Sequence, residues 1–369
     1  MYPDDLLYDI ALSKIFRYRV NIPGSIIDNL GSAKALFEMS RDMLEEIFTP
    51  GQVCIDEILN RKNLDEARAE LEWCREKGIR IHHRDHPDFP PLLRSCPDAP
   101  VVFYSFGSCN LNSDRIISIV GTRLSSSYGE KMCRKIVADL SESGVKPVIA
   151  SGLAFGIDIC AHLAALDNGL DTIAILANPL DRIYPAAHTS HARKIVKQGS
   201  LLTEFPRGSE SFKINFVQRN RLIAGLSAAT IIVESRAHGG ALITAELAHS
   251  YSREVFAVPG RIGDIRSEGC NNLIAKNVAA IFTSAEDLLT ALGWVSEKQK
   301  ESGRVRKLFY EGNPDKEKIL VALRLNPELN IDELHSITGQ KIQELTARVV
   351  ELEIEGYICS VSGNRYSAV

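Results

Sequence analysis

The 369-residue sequence predicts an α/β fold: a largely parallel sheet with mixed edges, preceded by a helical domain and followed by a small three-helix domain with a hairpin. Three observations carry this. Between residues 114 and 294, short continuous Val/Ile/Leu runs alternate with helical stretches, the pattern of strands covered on both faces. Residues 1–80 show apolar spacing of the helical kind only. A polar, charged stretch at 295–314 reads as a linker and sets off the last segment, 315–369.

In order along the chain, Ser32–Met39 and Asp42–Phe48 repeat apolar residues at helical spacing. Leu64–Lys77 is a longer amphipathic helix stopped by Gly78, and the breakers Pro23-Gly24 and Pro50-Gly51 separate the units. The sheet domain spans 81–294, and its first part, 81–113, is proline-rich and expected to be an extended connector. Strands are expected at Ile116–Val120, Pro147–Ala150, Thr172–Leu176, Ser200–Thr203, Thr230–Val233 and Val255–Val258. This alternation is Rossmann-like, and in such sheets ligands bind beyond the carboxyl ends of the strands. In the last segment, Lys316–Leu325, Ile331–Ile337 and Gln340–Ile354 form helices. Tyr357–Val361 and Arg365–Ser367 flank the hairpin signal Ser362-Gly363-Asn364, which completes a winged helix.

Composition excludes several classes. No apolar run approaches the roughly 18 residues needed to cross a bilayer, and the acidic start has no signal-peptide pattern, so a cytoplasmic location is expected. The eight cysteines are scattered without a CxxC pair, which fits reduced thiols better than disulfides or zinc. The net charge of −4 at first argues against nucleic acid. Its distribution does not: residues 1–113 carry net −5, 114–294 net +2 and 295–369 net −1. Any nucleic-acid site is therefore a local pocket in the sheet domain. The would-be recognition helix Gln340–Glu355 carries Lys341 and Arg348 against Glu344, Glu351, Glu353 and Glu355, the wrong sign for lying on phosphates.

Candidate chemistry follows the strands. Gly121-Thr122-Arg123 and the serines after it form a glycine–hydroxyl turn at a helix start, a natural phosphate cradle if it is not an ordinary βα turn. The fingerprints GxGxxG and GxxxxGK[ST] are absent, so neither a dinucleotide cofactor nor a P-loop is expected. Ser151-Gly152 opens a second such turn, with Asp158 and His162 one helical turn apart and more suited to bonding each other or capping the turn than to catalysis. Asp181–Pro185 reads as a structured loop. Phe212–Arg221 interleaves cations with aromatics, which suits a strand that is tracked along its backbone and stacked on its bases. Lys213 and Phe216 rank above Arg219 and Arg221 there, since at least one of these arginines has Glu234 or Glu204 to pair with. Gly239-Gly240 opens another helix and lets a phosphate or sugar approach. His82, His83, Asp85, His86 and Asp88 carry metal-ligand chemistry, but they sit in the connector with no second cluster, so no metal is expected.

Val120–Arg123, Ser151–Asp158 with Ala161-His162, Asp181-x-x-Tyr184-Pro185, Phe216-x-x-Arg219-Asn220-Arg221 through Ser227, Leu242–Ala245 and Arg253–Gly260 occur in that order. Together they resemble the DprA/Smf family of bacterial DNA-processing proteins, densely over about 80–294. The N-terminal helices resemble, less specifically, its SAM-like or helix-hairpin-helix region. The resemblance implies single-stranded DNA binding without turnover, protection of incoming strands in natural transformation and recombination, help in loading RecA recombinase, and a homodimer through the Rossmann-like domain. It implies Arg123 and Lys213 as phosphate contacts, Phe216 as the stacking ring, and Gly121, Gly152 and Gly240 as backbone-contact turns. The expected contact set is Gly121, Thr122, Arg123, Ser151, Gly152, Lys213, Phe216, Asn220, Arg221, Gly239 and Gly240, with no catalytic residue, metal or cofactor.

Two departures bear on this. Leu176–Leu180 lacks the glycines usual after the third strand, and Gly239-Gly240-Ala241 stands where the family often has two hydroxyls. Two other functions remain: a nucleotide-monophosphate hydrolase of the lysine-decarboxylase-like class, which Gly239 to Glu246 resembles loosely, and a duplex-binding regulator acting through the winged helix.

Overall fold

The structure, a computed structural model, describes residues 5–48, 55–295, 313–326, 328–355, 357–361 and 365–368. The chain divides into two compact units, residues 1–296 and 297–369. The Pro50-Gly51 breaker, all but the ends of the expected linker, and the Ser362-Gly363-Asn364 turn lie outside the described residues.

The first unit begins with six helices: α1 (Leu6–Ile15), α2 (Asn21–Leu30), α3 (Ala33–Phe37), α4 (Arg41–Ile47), α5 (Ile55–Leu59) and α6 (Lys62–Lys77). Local chemistry sets their ends. The Ser32 and Ser40 side chains accept from the Ala35 and Met43 N–H groups, capping α3 and α4. Gly78, at φ +68°, ends α6 where a side chain would strain the backbone. Leu6, Ile10, Leu36 and Leu44 build a core that continues onto Ile81, Val102 and Tyr104 of the sheet.

The sheet unit follows as β1 (Arg80–His83), α7 (Pro91–Arg94), β2 (Val102–Gly107), β3 (Ile116–Val120), α8 (Ser127–Glu142), β4 (Val148–Ser151), α9 (Ile157–Asp167), β5 (Thr172–Ile175), α10 (Thr189–Gln198), β6 (Ser200–Thr203), α11 (Lys213–Leu226), β7 (Ala229–Ile232), α12 (Gly240–Ser250), β8 (Glu254–Ala257), α13 (Glu268–Ala275), β9 (Ala280–Ile281) and α14 (Ala285–Ala291). The order is β1-β2-β6-β5-β4-β3-β7-β8-β9. From β3 to β9 every neighbouring pair is parallel, while β1–β2 and β2–β6 are antiparallel, so one edge is mixed as expected. All six expected strands are present within a residue of their expected ends.

The stretch 81–113, expected to be an extended connector, instead supplies β1, α7 and β2. Its prolines all precede the run Val101–Tyr104, which is buried on both faces: Tyr104 packs on the helical core and Phe103 packs edge-on to Phe89 at 5.2 Å. That burial, supplied by distant residues, makes the run a strand.

In the second unit, α15 (Pro314–Leu325), α16 (Ile331–Thr338) and α17 (Ile342–Ile354) pack Ile319, Leu323, Leu334, Leu345 and Val349 together. Asn330 and Glu333 form a capping box at the start of α16. A three-stranded antiparallel sheet, β10 (Leu329–Asn330), β11 (Ile358–Val361) and β12 (Arg365–Ala368), runs in the order β10-β12-β11. Its first strand was not expected from the sequence.

Candidate functional site

The carboxyl ends of β3, β4 and β5 meet α11 at a shallow depression lined by Arg123, Gly152, Phe155, Tyr184 and Phe216. Arg123 follows β3 and is exposed, and its guanidinium carbon sits 5.2 Å from the Phe216 ring centre. Tyr184 meets Phe216 edge-on at 5.6 Å, and Phe155 meets His188 edge-on at 4.7 Å. The His188 imidazole is held by the Leu153 carbonyl at 2.8 Å. Phe155 and Tyr184 remain 50% and 53% exposed. Rings this open, beside a cation, give flat π-faces at the surface with little apolar burial in return. Lys213 is exposed in the first turn of α11, whose N-cap residue, Phe212, offers no side-chain cap and is itself half exposed.

Beneath the rings lies a brace. Arg219 is buried and donates to the Gly152 and Ile175 carbonyls at the ends of β4 and β5. Burial pushes its guanidinium down to about 10, while Asp158 pulls the other way. Burial raises the Asp158 carboxyl, and Arg219 together with the backbone N–H groups of Ala154 and Gly152 offsets part of that rise. Gly152 is glycine for this reason: a Cβ there would lie 2.0 Å from Arg219 Nη1.

Arg221, expected among the ligand contacts, is buried. It pairs with Glu204 and donates to the Asp98 carbonyl, so it is engaged inside the domain. The reason lies in helix geometry: two positions beyond Arg219, its side chain points to another side of α11, toward β6 and Asp98. Ser151 is also buried, with its hydroxyl donating to the Ile119 carbonyl at 2.6 Å. Asn220 is partly buried and its amide reaches the Gly240 carbonyl at 3.4 Å, linking α11 to α12.

The expected phosphate cradle after β3 is filled from within. Buried Glu234 accepts the Ser126 N–H at 2.8 Å through its carboxylate and the Thr122 N–H at 2.7 Å through its carbonyl. Ser126 itself caps α8 by accepting the Gly129 N–H. Gly121 and Thr122 thus support Arg123 from behind. In the turn after β4, the Asp158 carboxylate plays the same role. Gly239-Gly240 differs: α12 starts with no side-chain cap, and a Cβ on Gly240 would meet no atom within 4 Å.

Asp158 and His162 do not pair. The His162 Nδ1 lies 2.7 Å from Thr172 Oγ1, and burial holds the imidazole down at about 3. His82 stacks on Phe103 and bonds Ser105, and burial pushes it down to about 4. Among the described residues, no group of three or more His, Cys, Asp or Glu side chains is placed to hold a metal ion, and no helix is long and apolar enough to cross a membrane.

The structure therefore brings together Arg123, Gly152 and Phe216, adds Tyr184 and Phe155, and sets Arg221 and Ser151 apart. Sequence reasoning treated Tyr184 as part of a structured loop and did not weigh Phe155. The available signal was an aromatic residue in the loop after each of β4 and β5, where the fold rule places ligands.

Residues 80–293 match the family model for DNA recombination-mediator protein A. The chain is 32% identical to Protein Smf of Synechocystis, over 88% of each chain, and 39% identical to DNA processing protein DprA of Streptococcus pneumoniae, over 54% of this chain and 70% of that one. The crystal structure of the pneumococcal protein covers 77% of this chain and 97% of its own, with TM-score 0.63 and 31% identity. A Helicobacter pylori DNA processing protein A structure, described for its single-stranded DNA binding mode, covers 58% and 97% with TM-score 0.52 and 28% identity.

Proposed function

Because the chain belongs to the DNA recombination-mediator protein A family, we propose that it binds single-stranded DNA at the depression formed by Arg123, Phe155, Tyr184 and Phe216, and acts by holding the strand rather than by turnover. The observation that carries this is the grouping of two half-exposed rings, Phe155 and Tyr184, with the partly buried Phe216 and one exposed guanidinium at the strands' carboxyl ends. Each stacked base contributes roughly 1–3 kcal/mol whatever its identity. A duplex keeps its bases stacked on each other and cannot present one to Phe216 or Tyr184. Arg123 and Lys213 meet phosphates, and the uncapped N-termini of α11 and α12 add backbone N–H groups and the positive end of a dipole.

Within this reading, the chain protects incoming strands and helps load RecA recombinase in transformation and recombination, working as a homodimer through the sheet domain. Residues 1–80 serve as a SAM-like helical domain and 315–369 as a winged helix that supports or contacts protein, given the acidic face of α17.

The test is fluorescence anisotropy with a labelled single-stranded oligonucleotide, a duplex competitor and a salt series. Arg123→Ala and Lys213→Ala are expected to weaken binding and flatten its salt dependence, and Phe216→Ala to weaken it at unchanged slope. If all three variants bind as the parent does, this surface is not the binding site. Release of ribose phosphate from nucleotides would favour the hydrolase reading.

A further inference from the structure

Two cysteines face each other where the second turn of α8 meets the first turn of α9, next to the Arg123 loop. The Cys133 Sγ lies 3.9 Å from the Ile157 carbonyl oxygen, and the Cys160 Sγ lies 3.7 Å from the Glu130 carbonyl oxygen. Each thiol thus reaches the carbonyl three residues before the other cysteine, on the opposite helix. This reciprocal arrangement sets the two thiols side by side across the contact between α8 and α9. Cys133 is sealed in the core, whereas Cys160 lines a surface cavity of about 510 Å³ that also exposes Arg123, Arg134 and Gly156. A small oxidant entering that cavity meets Cys160 first.

The neighbours make Cys160 the more reactive of the pair. Cys160 lines the cavity together with Arg134, whose positive charge favours the thiolate, the nucleophilic form. By contrast, burial pushes Cys74, Cys96, Cys109 and Cys270 up to about 11 or 12, where the thiol stays protonated.

We propose that Cys133 and Cys160 are a redox site: hydrogen peroxide converts them to a disulfide that links α8 to α9 and weakens DNA binding at Arg123. In the first step the Cys160 thiolate attacks a peroxide oxygen, the O–O bond breaks, and the departing hydroxide takes up a proton as water. The Cys133 sulfur then attacks the resulting sulfenic sulfur, and the hydroxyl leaves with the Cys133 proton as a second water. Two thiols lose two electrons, and the peroxide gains them.

The link reaches the site because there is no slack between them. Sulfurs in a disulfide stand about 2.05 Å apart, well inside the contact distance of two thiols, so closing the bond changes the spacing of α8 and α9. A Cβ on Gly156, at the head of α9, would already lie 2.2 Å from the Thr122 carbonyl oxygen and 2.8 Å from that of Arg123. A change in the spacing of α8 and α9 is therefore passed to the Arg123 backbone and to the guanidinium held over the Phe216 ring.

The DNA arm rests on the proposed function; the chemical arm does not. The full chain is reduced, freed of reductant and treated with hydrogen peroxide. Intact mass is expected to fall by two hydrogens, and peptide mapping to recover a Cys133–Cys160 link that dithiothreitol removes. Single-stranded DNA affinity is expected to fall about fivefold, the effect of losing roughly 1 kcal/mol at an exposed cation–π contact, and to recover on reduction. Cys160→Ser and Cys160→Ala should form no such link and keep their affinity under peroxide. Absence of the 133–160 link in the folded parent overturns the proposal. A link that leaves affinity unchanged in a protein that binds DNA when reduced overturns the coupling. If the reduced protein binds no DNA, the function proposed above fails, and the mapped link still decides the redox site.

Discussion

Arg221→Ala separates structural cations from ligand-binding ones. The Arg221 and Glu204 side chains are 5% and 7% exposed, so the ion pair is removed from water. Burial raises the Glu204 carboxyl and Arg221 acts against that rise. Removing one partner of such a pair leaves a buried charge uncompensated and costs about 3–5 kcal/mol. The Asp98 carbonyl loses its donor as well. For a unit of this size, each kcal/mol moves the melting temperature by roughly 2–4 °C, so the variant should melt about 6–20 °C below the parent. Thermal and urea unfolding measure this directly. Arg123→Ala, taken through the same assays, should melt with the parent, because Arg123 is exposed and stands over the Phe216 ring at the surface. A double variant, Arg221→Met with Glu204→Leu, should recover most of the loss, since matched apolar groups remove both buried charges together. The reasoning is refuted if Arg221→Ala melts with the parent yet loses single-stranded DNA binding: Arg221 would then be a ligand contact, as the sequence first indicated.

Three further outcomes follow from the site. Glu234→Ala strips the acceptor from the Ser126 N–H and should cost about 1–3 kcal/mol, and sulfate should then stabilise the variant more than the parent by entering the vacated turn; equal sulfate effects in a thermal scan would show that Glu234 does not occupy an anion position. Gly152→Ala should lower stability by about 1–3 kcal/mol through the Arg219 clash, whereas Gly240→Ala has open space, keeps the melting temperature and weakens DNA binding if the backbone approaches a phosphate there. His162 is held down at about 3 against about 6.5 in an unfolded chain, so the unfolded state takes the proton first. Its contribution is complete above pH ~6.5 and falls toward pH 3 at about 1.4 kcal/mol per unit, so between pH 6.5 and 5 His162→Gln should lose about 2 kcal/mol less urea stability than the parent. Equal losses in the two proteins would place the acid sensitivity elsewhere.

The inner sheet was legible because strands covered on both faces need nothing but apolar side chains, and Ile116–Val120 or Thr172–Ile175 say so locally. β1 and β2 were not, because what makes Val101–Tyr104 a strand is a helical core formed by residues near 6–44 and a ring at Phe89. The site divides in the same way. The positions of Arg123 and Phe216 after a strand and on a helix follow from local pattern, and their meeting follows from the fold rule. That the turns after β3 and β4 are closed by Glu234 and Asp158 could not be read locally. Glu234 lies 108 residues from the Ser126 N–H that it accepts. Only the folded chain shows that these glycine turns already hold a carboxylate of their own. Arg219 and Arg221 were ambiguous for the same reason: a buried and an exposed arginine are identical until their acidic partners are located.

The balance between charge and stacking then sets how this surface can bind. Two exposed cations, Arg123 in the depression and Lys213 in the first turn of α11, are the phosphate contacts proposed for a chain whose net charge is −4. Two neutralised phosphates on a single strand give a salt slope of only about −1.4, too little to supply most of a useful affinity. The remainder must come from the rings of Phe155, Tyr184 and Phe216, whose contribution does not depend on salt. If the proposed site is right, affinity per site is modest, and a second copy on the same strand would raise it through effective concentration rather than new contacts. Measured on an oligonucleotide long enough for one copy, the slope of log affinity against log salt should stay near −1.4, and Tyr184→Ala should lower affinity without moving it. A slope several-fold steeper would refute this assignment, because the phosphates would then be held by a basic surface elsewhere on the chain.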